Sequence, residues 1–499
     1  MRRLGNGGLV LAAALFFGAF GRPRPPREPT PQPVLPNDVS ALDAAFEEEW
    51  RSAGVRTASP AAPLTKLRRL TLGLHGRTPS LEEVLSFERA PDLTRWAGTF
   101  VSDPRFAQHL ASRWSVALAG TDAGPFLVFR RDLFEAWLAR EIQAGTGMDE
   151  ILRRVVETSG SWSDRPAVNF VTATYSGEDL DRPVLATRLV RVYLGQRIDC
   201  ARCHDHPFET WTKRQFHELS AFFDETQVAL PFGISDTRSA TTTARVPFDE
   251  DLLPTSGSRR QRLAAWATHS RNRRFSRAIA NRLFGVMFGA PLEAPVDDLN
   301  DPPPGKSSPL DVLADQLVSS DFDLRRFFVT LAMSRPFGLE SQTEDAAASE
   351  LFAAFPVTPL RVDQVFEAVS QARSVTRLRP TDSPTSRAVR FLQRLEFTKA
   401  YGETERELDA RSVTLRETLT RLNGKLVEET AKPNPFNAVG RVQGLLDGDR
   451  TLEALFLTFL TRRPTPTEVD ELSPDTESEE GLSDLAWALA NAPEMSWSR

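Results

Sequence analysis

Both cysteines of this 499-residue chain lie in one five-residue stretch, Cys200-Ala201-Arg202-Cys203-His204. With two Cys and six His available, random placement would give this arrangement on the order of once in 20,000 sequences. Two thiols one helical turn apart can each add to one vinyl group on a porphyrin edge, and the next residue then brings its imidazole to the iron. The spacing predicts covalently attached haem c, with Cys200 and Cys203 as thioether anchors and His204 as the proximal iron ligand.

Three other interpretations of the motif stay open. Cys200, Cys203 and His206, with a more distant ligand such as His217, could hold zinc in a tetrahedral site. The two thiols could instead form a structural or redox-active disulfide. The same side chains could also pack in a core with no chemical role, although a His-Asp-His run is polar for that.

The sixth iron ligand and any catalytic residue are unknown from the sequence. His217 fits a surface position better and Met287 fits a core position better. The remaining weak candidates are His75, His109, His269 and Met333. A Met or His ligand would favour electron transfer and an open position would allow a haem-dependent oxidation, so the sequence does not decide whether the protein is an enzyme.

Two helices are predicted to position the motif. The first is capped by Asp181 and ends at Gly195, and the second opens with a capping box from Thr212 to Gln215. The apolar stripe of the second helix, together with two nearby aromatic residues, could form a wall for a haem. These residues are Phe208, Trp211, Phe216, Leu219 and Phe223.

The rest of the chain predicts a mainly α fold: a helical multi-domain protein with long loops and few short strands. Apolar residues recur at helical spacing from about Leu42 onward, and strand-like alternation is limited to 167–174 and 239–246. Thr78-Pro79 and Thr465-Pro466 each place a capping residue before a proline, which predicts two helix starts. Both follow Leu-rich helical segments that end in Arg, an echoed helix-turn-helix unit too short to establish a repeat.

The beginning of the chain has the pattern of a secretory signal. Arg2-Arg3 precede an apolar run from Leu9 to Phe20, which is short for a transmembrane helix. We therefore predict a signal peptide over 1–21, with a retained membrane anchor as the alternative, and a Pro-rich linker over 22–59. The predicted domains are 60–225 with the CxxCH motif, a loop over 226–255, a second helical domain over 256–370 and its C-terminal helical part over 371–499.

The amino-acid composition limits the classes of partner that the protein is expected to bind. The chain has 40% hydrophobic and 26% charged residues, which is ordinary for a globular protein. Lys+Arg number 61 and Asp+Glu number 67, so the net charge of -6 offers no positive excess to attract nucleic acid. We expect no nucleic-acid partner and, if the signal is cleaved, no transmembrane domain.

Several longer stretches support a resemblance to a known family. The CxxCH motif continues as Asp-His-Pro-Phe-Glu, and it is joined by Leu72-Gly-Leu-His-Gly-Arg-Thr-Pro-Ser-Leu-Glu-Glu83, Leu219-Ser-Ala-Phe-Phe223, Phe275-Ser-Arg-Ala-Ile-Ala-Asn-Arg282 and Pro295-Val-Asp-Asp298. Together they resemble the planctomycete cytochrome-c-associated domain (domain of unknown function 1549) followed by its usual partner (domain of unknown function 1553). Arg113 stands where relatives often carry His, so no distal ligand is carried over from them.

The resemblance implies a secreted, periplasmic or cell-envelope protein and supplies no settled reaction. We expect a c-type cytochrome-like protein with one haem, acting in electron transfer or haem-dependent oxidation. Its expected partner is a redox protein of the envelope, with polysaccharide as a second candidate. The alternative is a haem-free envelope module for protein interaction or glycan binding, in which CxxCH binds zinc or forms a disulfide.

Overall fold

The architecture comes from a computed structural model of the chain. It describes residues 36–120, 129–177, 179–207, 210–229, 233–300, 308–378, 384–402, 413–443 and 448–499. The predicted signal peptide and the first part of the predicted linker lie outside the described residues. Within them, no helix is both long enough and apolar enough to cross a bilayer.

The predicted mainly α fold is confirmed. Helices in the first two thirds of the chain are α1 (Pro36–Ala53), α2 (Pro63–His75), α3 (Leu81–Arg89), α4 (Leu93–Ser102), α5 (Pro104–Ala119), α6 (Arg131–Gln143), α7 (Met148–Glu157), α8 (Asn169–Thr172), α9 (Arg182–Leu189), α10 (Lys213–Ser220), α11 (Arg259–Ala267), α12 (Arg273–Phe288), α13 (Pro309–Ser319) and α14 (Leu324–Met333). The last third contains α15 (Ala346–Glu350), α16 (Val362–Ala372), α17 (Pro384–Tyr401), α18 (Leu415–Asn423), α19 (Lys425–Ala431), α20 (Ala438–Gln443), α21 (Gly448–Leu460), α22 (Pro466–Leu472) and α23 (Glu479–Asn491).

The strands are short. A three-stranded antiparallel sheet has the order β1-β3-β2, and a two-stranded sheet pairs β4 with β5. Their bounds are β1 (Gly160–Ser161), β2 (Gln227–Ala229), β3 (Gly233–Ser235), β4 (Thr358–Pro359) and β5 (Trp497–Ser498).

Both strand predictions are wrong. Residues 167–174 lie in a 3-10 turn and helix α8, and 239–246 form no strand. In the first segment Val168, Phe170 and Val171 are all fully buried, and so short an apolar run fits a buried helix as well as a strand.

Helix α1 shows that the linker prediction is wrong for residues 36–53. Leu42, Phe46 and Trp50 recur every four residues and are buried in the core. The Trp50 indole donates to the backbone oxygen of Leu351 at 2.7 Å. The helix is thus held to distant parts of the chain because one of its faces is apolar.

Two hydrophobic cores organise the described chain. One contains buried residues from Leu42 to Phe355, with Leu457, and the other contains residues from Leu360 to Met495, with Leu72. The first core takes side chains from both the 60–225 and the 256–370 segments. The predicted loop over 226–255 therefore does not separate two cores, because helices on both sides of it pack into one.

Helix α12 is the centre of the first core. Every residue from Phe275 to Phe288 is buried, and the helix contacts α2, α13, α14 and the turn at Val190–Leu194. A helix buried on all sides must satisfy each of its polar side chains within the protein. Arg277 does so through ion pairs with Asp311 and Glu293.

The echoed helix-turn-helix unit has a matching ion pair in each copy. Helix α2 ends at the left-handed Gly76 and α21 at the left-handed Thr461. Arg77 then pairs with Glu83 at 2.7 Å, and Arg462 pairs with Glu468 at 2.8 Å.

The caps of the two copies require one correction. The helix after the first turn is capped by Ser80, not by Thr78, because Ser80 and Glu83 form the capping box. Thr465 caps the second as predicted, with Glu468 completing its box. The two units therefore align on the arginine and the glutamate, six residues apart in each.

Glu83→Gln and Glu468→Gln form a matched pair of tests within this chain. The Glu83 side chain is 8% exposed and that of Glu468 is 29% exposed. Removing one partner of a buried pair costs about 3–5 kcal/mol, whereas a partly exposed pair contributes about 1 kcal/mol or less. We expect Glu83→Gln to lower the free energy of unfolding in urea by the larger amount; equal losses would contradict this assignment.

Candidate functional site

The three predicted haem-binding residues lie together on one exposed turn. A 3-10 turn at Asp199–Arg202 carries Cys200, and the backbone N–H groups of Cys203 and His204 donate to the Cys200 carbonyl at 3.2 and 3.3 Å. Both cysteines are free thiols and both are exposed, as is His204. Ala201, between them, is fully buried and anchors the turn to the core.

The His204 ring has a defined partner on one side. Its Nδ1 lies 2.7 Å from the backbone oxygen of Asp205, so Nδ1 carries the hydrogen and the lone pair is on Nε2. The Asp205 carboxylate accepts the backbone N–H of Lys213 at 2.8 Å, which ties the loop to the first turn of α10. The backbone N–H of His206 donates to the Trp211 carbonyl at 2.8 Å and closes the loop.

Both predicted flanking helices are confirmed. Asp181 caps α9 by accepting the Val184 N–H at 3.0 Å, and the helix continues as a wider turn at Val190–Leu194. It ends at Gly195, whose φ of 60° is left-handed. Thr212 and Gln215 form the predicted capping box of α10.

The predicted haem wall is not open to a ligand. Phe216, Leu219 and Phe223 are fully buried in the first hydrophobic core, and Trp211 is also buried there. Phe208 lies outside the described residues. The stripe serves core packing because α10 uses it to dock against the protein.

The alternatives for the motif gain no support from the geometry. Among the residues that the structure describes, no group of three or more His, Cys, Asp or Glu side chains is arranged to hold a metal ion. His217 lies exposed on α10, as predicted for a surface residue. Cys200 and Cys203 are not joined in a disulfide.

The candidates for a sixth iron ligand have other surroundings. His75 is buried with its Nε2 3.0 Å from the Phe100 carbonyl oxygen, and burial lowers its pKa to about 3. Met287 is buried on α12 as core filler, as predicted. His269 Nδ1 accepts the Arg271 N–H at 3.0 Å, and the Thr94 hydroxyl donates to the Met333 sulfur at 3.0 Å. No sixth ligand is assigned.

A network of ion pairs around the motif was not predicted from the sequence. Arg191 pairs with Asp199 at 2.6 Å and lies 3.7 Å from Asp297, and Arg197 pairs with Asp297 at 2.7 Å. Asp298 accepts the Arg197 backbone N–H at 3.3 Å. The available signal was two arginines shortly before CxxCH and an acidic pair about 100 residues later, and only the tertiary fold brings them together.

Two polar residues of the second predicted domain, Asn281 and Arg282, have structural roles. Asn281 forms two hydrogen bonds with the backbone of Glu293, at 2.7 and 3.0 Å, and locks α12 to the following loop. Arg282 donates to the Val192 carbonyl at 3.0 Å. Both side chains therefore form buried hydrogen bonds that hold the helix in place.

Matches to family models divide the chain into two domains, and the contacts described above cross the boundary between them. The family model PSCyt2, described as a protein of unknown function (DUF1549), matches residues 41–228, and PSD1, described as a protein of unknown function (DUF1553), matches residues 259–387. The chain therefore contains a PSCyt2 (DUF1549) domain followed by a PSD1 (DUF1553) domain, which confirms the resemblance and its domain order. Searches of curated proteins and of solved structures each give no match. The CxxCH turn lies in the PSCyt2 domain, and Asp297, which pairs with its flank, lies in the PSD1 domain.

Substitution of Gly195 tests how closely the two domains pack against each other at Leu299. A Cβ at Gly195 would lie 3.0 Å from Leu299 Cδ1, whereas at Gly54, whose φ of 68° is similar, it would meet nothing within 4 Å. We expect Gly54→Ala to cost about 1–2 kcal/mol for the left-handed backbone alone. Gly195→Ala should cost about 1–3 kcal/mol more because of crowding. Urea unfolding of both variants measures the difference, and equal costs would show that the Gly195–Leu299 contact is not tight.

Proposed function

We propose that this protein is a secreted or periplasmic c-type cytochrome-like protein that carries one covalently attached haem c. Cys200 and Cys203 are its thioether anchors and His204 is the proximal iron ligand. The observation that carries the proposal is that both thiols and the imidazole are exposed on a single turn. In the cell envelope the protein transfers single electrons or performs a haem-dependent oxidation.

The exposed thiols meet the first requirement for attachment. Each thioether forms when a cysteine S–H adds across one vinyl group of haem, with sulfur and hydrogen both retained in the product. The reacting thiols must reach a planar macrocycle, and buried cysteines could not do so. Cys200 and Cys203 are free and lie one turn apart, which is the separation that the two vinyl groups require.

The hydrogen bond of the His204 ring meets the second requirement, which is a ring nitrogen that can bind iron. An iron ligand must offer a nitrogen lone pair, and a hydrogen bond to the other ring nitrogen fixes the tautomer. The Asp205 carbonyl provides that hydrogen bond to Nδ1. Nε2 is thereby left as the atom that would bind iron.

The flanks of the turn meet a third requirement, that the ligands be held in place. Ion pairs from Arg191 and Arg197 fix the segment before Cys200, and Asp205 fixes the segment after it to α10. When bound, haem would supply the one-electron chemistry, while the chain anchors and orients it. The described residues of the α10 stripe are buried in the core, so they would not supply a wall for the haem.

Covalent haem is the first test. The full chain, with residues 1–21, should be expressed in a host whose c-type maturation machinery is active, and then examined by haem-stained denaturing gel and reduced pyridine spectrum. We expect one covalent haem per chain and a complete loss of stain in the Cys200→Ala, Cys203→Ala double variant. A folded, exported protein without haem would contradict the proposal, and equal staining of the double variant would identify a contaminant.

His204→Ala and His217→Ala separate haem from zinc. His204→Ala should keep the covalent haem but change its visible and electron paramagnetic resonance spectra, because the thioethers remain and the proximal ligand is lost. His217→Ala, on the exposed face of α10, should leave both spectra unchanged. A colourless protein that binds zinc in equimolar amount, and loses it with His217→Ala, would establish the zinc alternative.

A further inference from the structure

A second candidate site lies away from the CxxCH turn, in a groove of about 1040 Å³ between α5 and α6 on one side and the first turn of α16 and α17 on the other. Ligand pockets of proteins commonly have volumes of about 300–1,000 Å³. The groove therefore has room for a ligand much larger than a single inorganic ion.

Asp363 contributes an unsatisfied acceptor to the groove. It lies in the first turn of α16, and its Oδ1 is buried without a hydrogen-bond partner among the described residues. Leaving a buried acceptor unpaired costs about 1–3 kcal/mol, and more for a charged group. A ligand that donates a hydrogen bond to this oxygen would recover that free energy.

Positive charge surrounds this carboxylate. Burial alone would raise the pKa of Asp363, but the electrostatic interactions of its neighbours, led by Arg113 and Arg394, outweigh burial and hold the pKa below its ordinary value. The carboxylate is therefore ionised at neutral pH. Two of these arginines, Arg113 and Arg394, also line the groove.

His109 adds a neutral group beside Asp363. Burial lowers its pKa to about 4, so the imidazole is uncharged at neutral pH. The residue is 8% exposed, and its Nε2 has no hydrogen-bond partner within the part of the chain that the structure describes. Asp363 Oδ1 and His109 Nε2, on two different helices whose side chains interact electrostatically, thus both lack a hydrogen-bond partner among the described residues.

The remainder of the groove is also more basic than acidic. Its other charged side chains are Arg131, Asp132, Glu135, Arg140 and Lys399. The described lining contains small apolar side chains such as Ala107 and Ala111 and no aromatic ring on which the face of a neutral sugar could stack. Recognition in this groove must therefore rest on charge and hydrogen bonds.

We propose that the groove binds a hydroxylated organic acid of the sugar-acid class, with its carboxylate near Arg394 and a hydroxyl donating to Oδ1 of Asp363. A plain anion such as sulfate dianion carries no hydrogen and therefore has no donor for that oxygen. An amino acid would place an ammonium group near the guanidinium groups of Arg113 and Arg394, which repel it. The volume accommodates a short oligomer better than one unit.

Calorimetric titration of the full chain at low salt tests this assignment. The probes are trigalacturonate, galacturonate, galactose, glutamate and inorganic sulfate. We expect trigalacturonate to bind most tightly, galacturonate more weakly, and the other three not at all. Asp363→Asn and Arg394→Gln, on two different helices, should each weaken trigalacturonate binding at least about tenfold.

Arg214→Gln is the matched control because Arg214 is exposed on α10 and is not among the groove residues. It should leave binding unchanged, and the melting temperature of each variant checks that it folds. Failure of both acids to bind would overturn the proposal, as would binding that Asp363→Asn and Arg394→Gln leave within twofold. Sulfate or glutamate binding as tight as that of trigalacturonate would also overturn it. None of these outcomes depends on whether haem is attached.

Discussion

The polar side chains of the buried helix α12 impose the constraint on which the described architecture depends. A guanidinium or carboxamide in a core must be paired, because an unpaired one costs more than its hydrogen bonds contribute. Arg282 meets this requirement by donating to the Val192 carbonyl, and its guanidinium carbon lies 5.8 Å from the Trp114 ring centroid. A residue of the PSD1 domain is thus satisfied by atoms of the PSCyt2 domain, and neither can be displaced without exposing it.

This pairing explains why one core spans both domains and how the CxxCH turn is supported. Val192 lies in the turn that ends at Gly195, and the Gly195 carbonyl accepts the Leu299 N–H at 2.6 Å. Ion pairs of Arg191 and Arg197 with Asp297 continue the contact up to Asp199. The flank is therefore fixed by the PSD1 domain while the reactive side chains stay exposed, a combination that favours a preorganised attachment point.

Sequence patterns predicted the features that depend on neighbouring residues and missed those that depend on the rest of the fold. The caps at Asp181 and Thr212 and the end at Gly195 were predictable because each is settled within a few residues. The role of the α10 stripe was not, since an apolar face can line a ligand pocket or dock on a core. The ion pairs of Asp297 join residues about 100 positions apart, and a single sequence carries no signal for such a pairing.

Each of the two candidate sites lies at an interface between two parts of the chain that pack separately. The CxxCH turn lies where the PSCyt2 and PSD1 domains meet, and the groove lies where α5 and α6 of the first core face α16 and α17 of the second. At such interfaces helix ends and polar side chains from separate elements converge without close packing, which leaves acceptors such as Asp363 Oδ1 unpaired. A core interior cannot tolerate that arrangement. Ligand binding and catalysis in this fold are therefore expected at these interfaces. Helices α12 and α16 are the elements that hold the interfaces together.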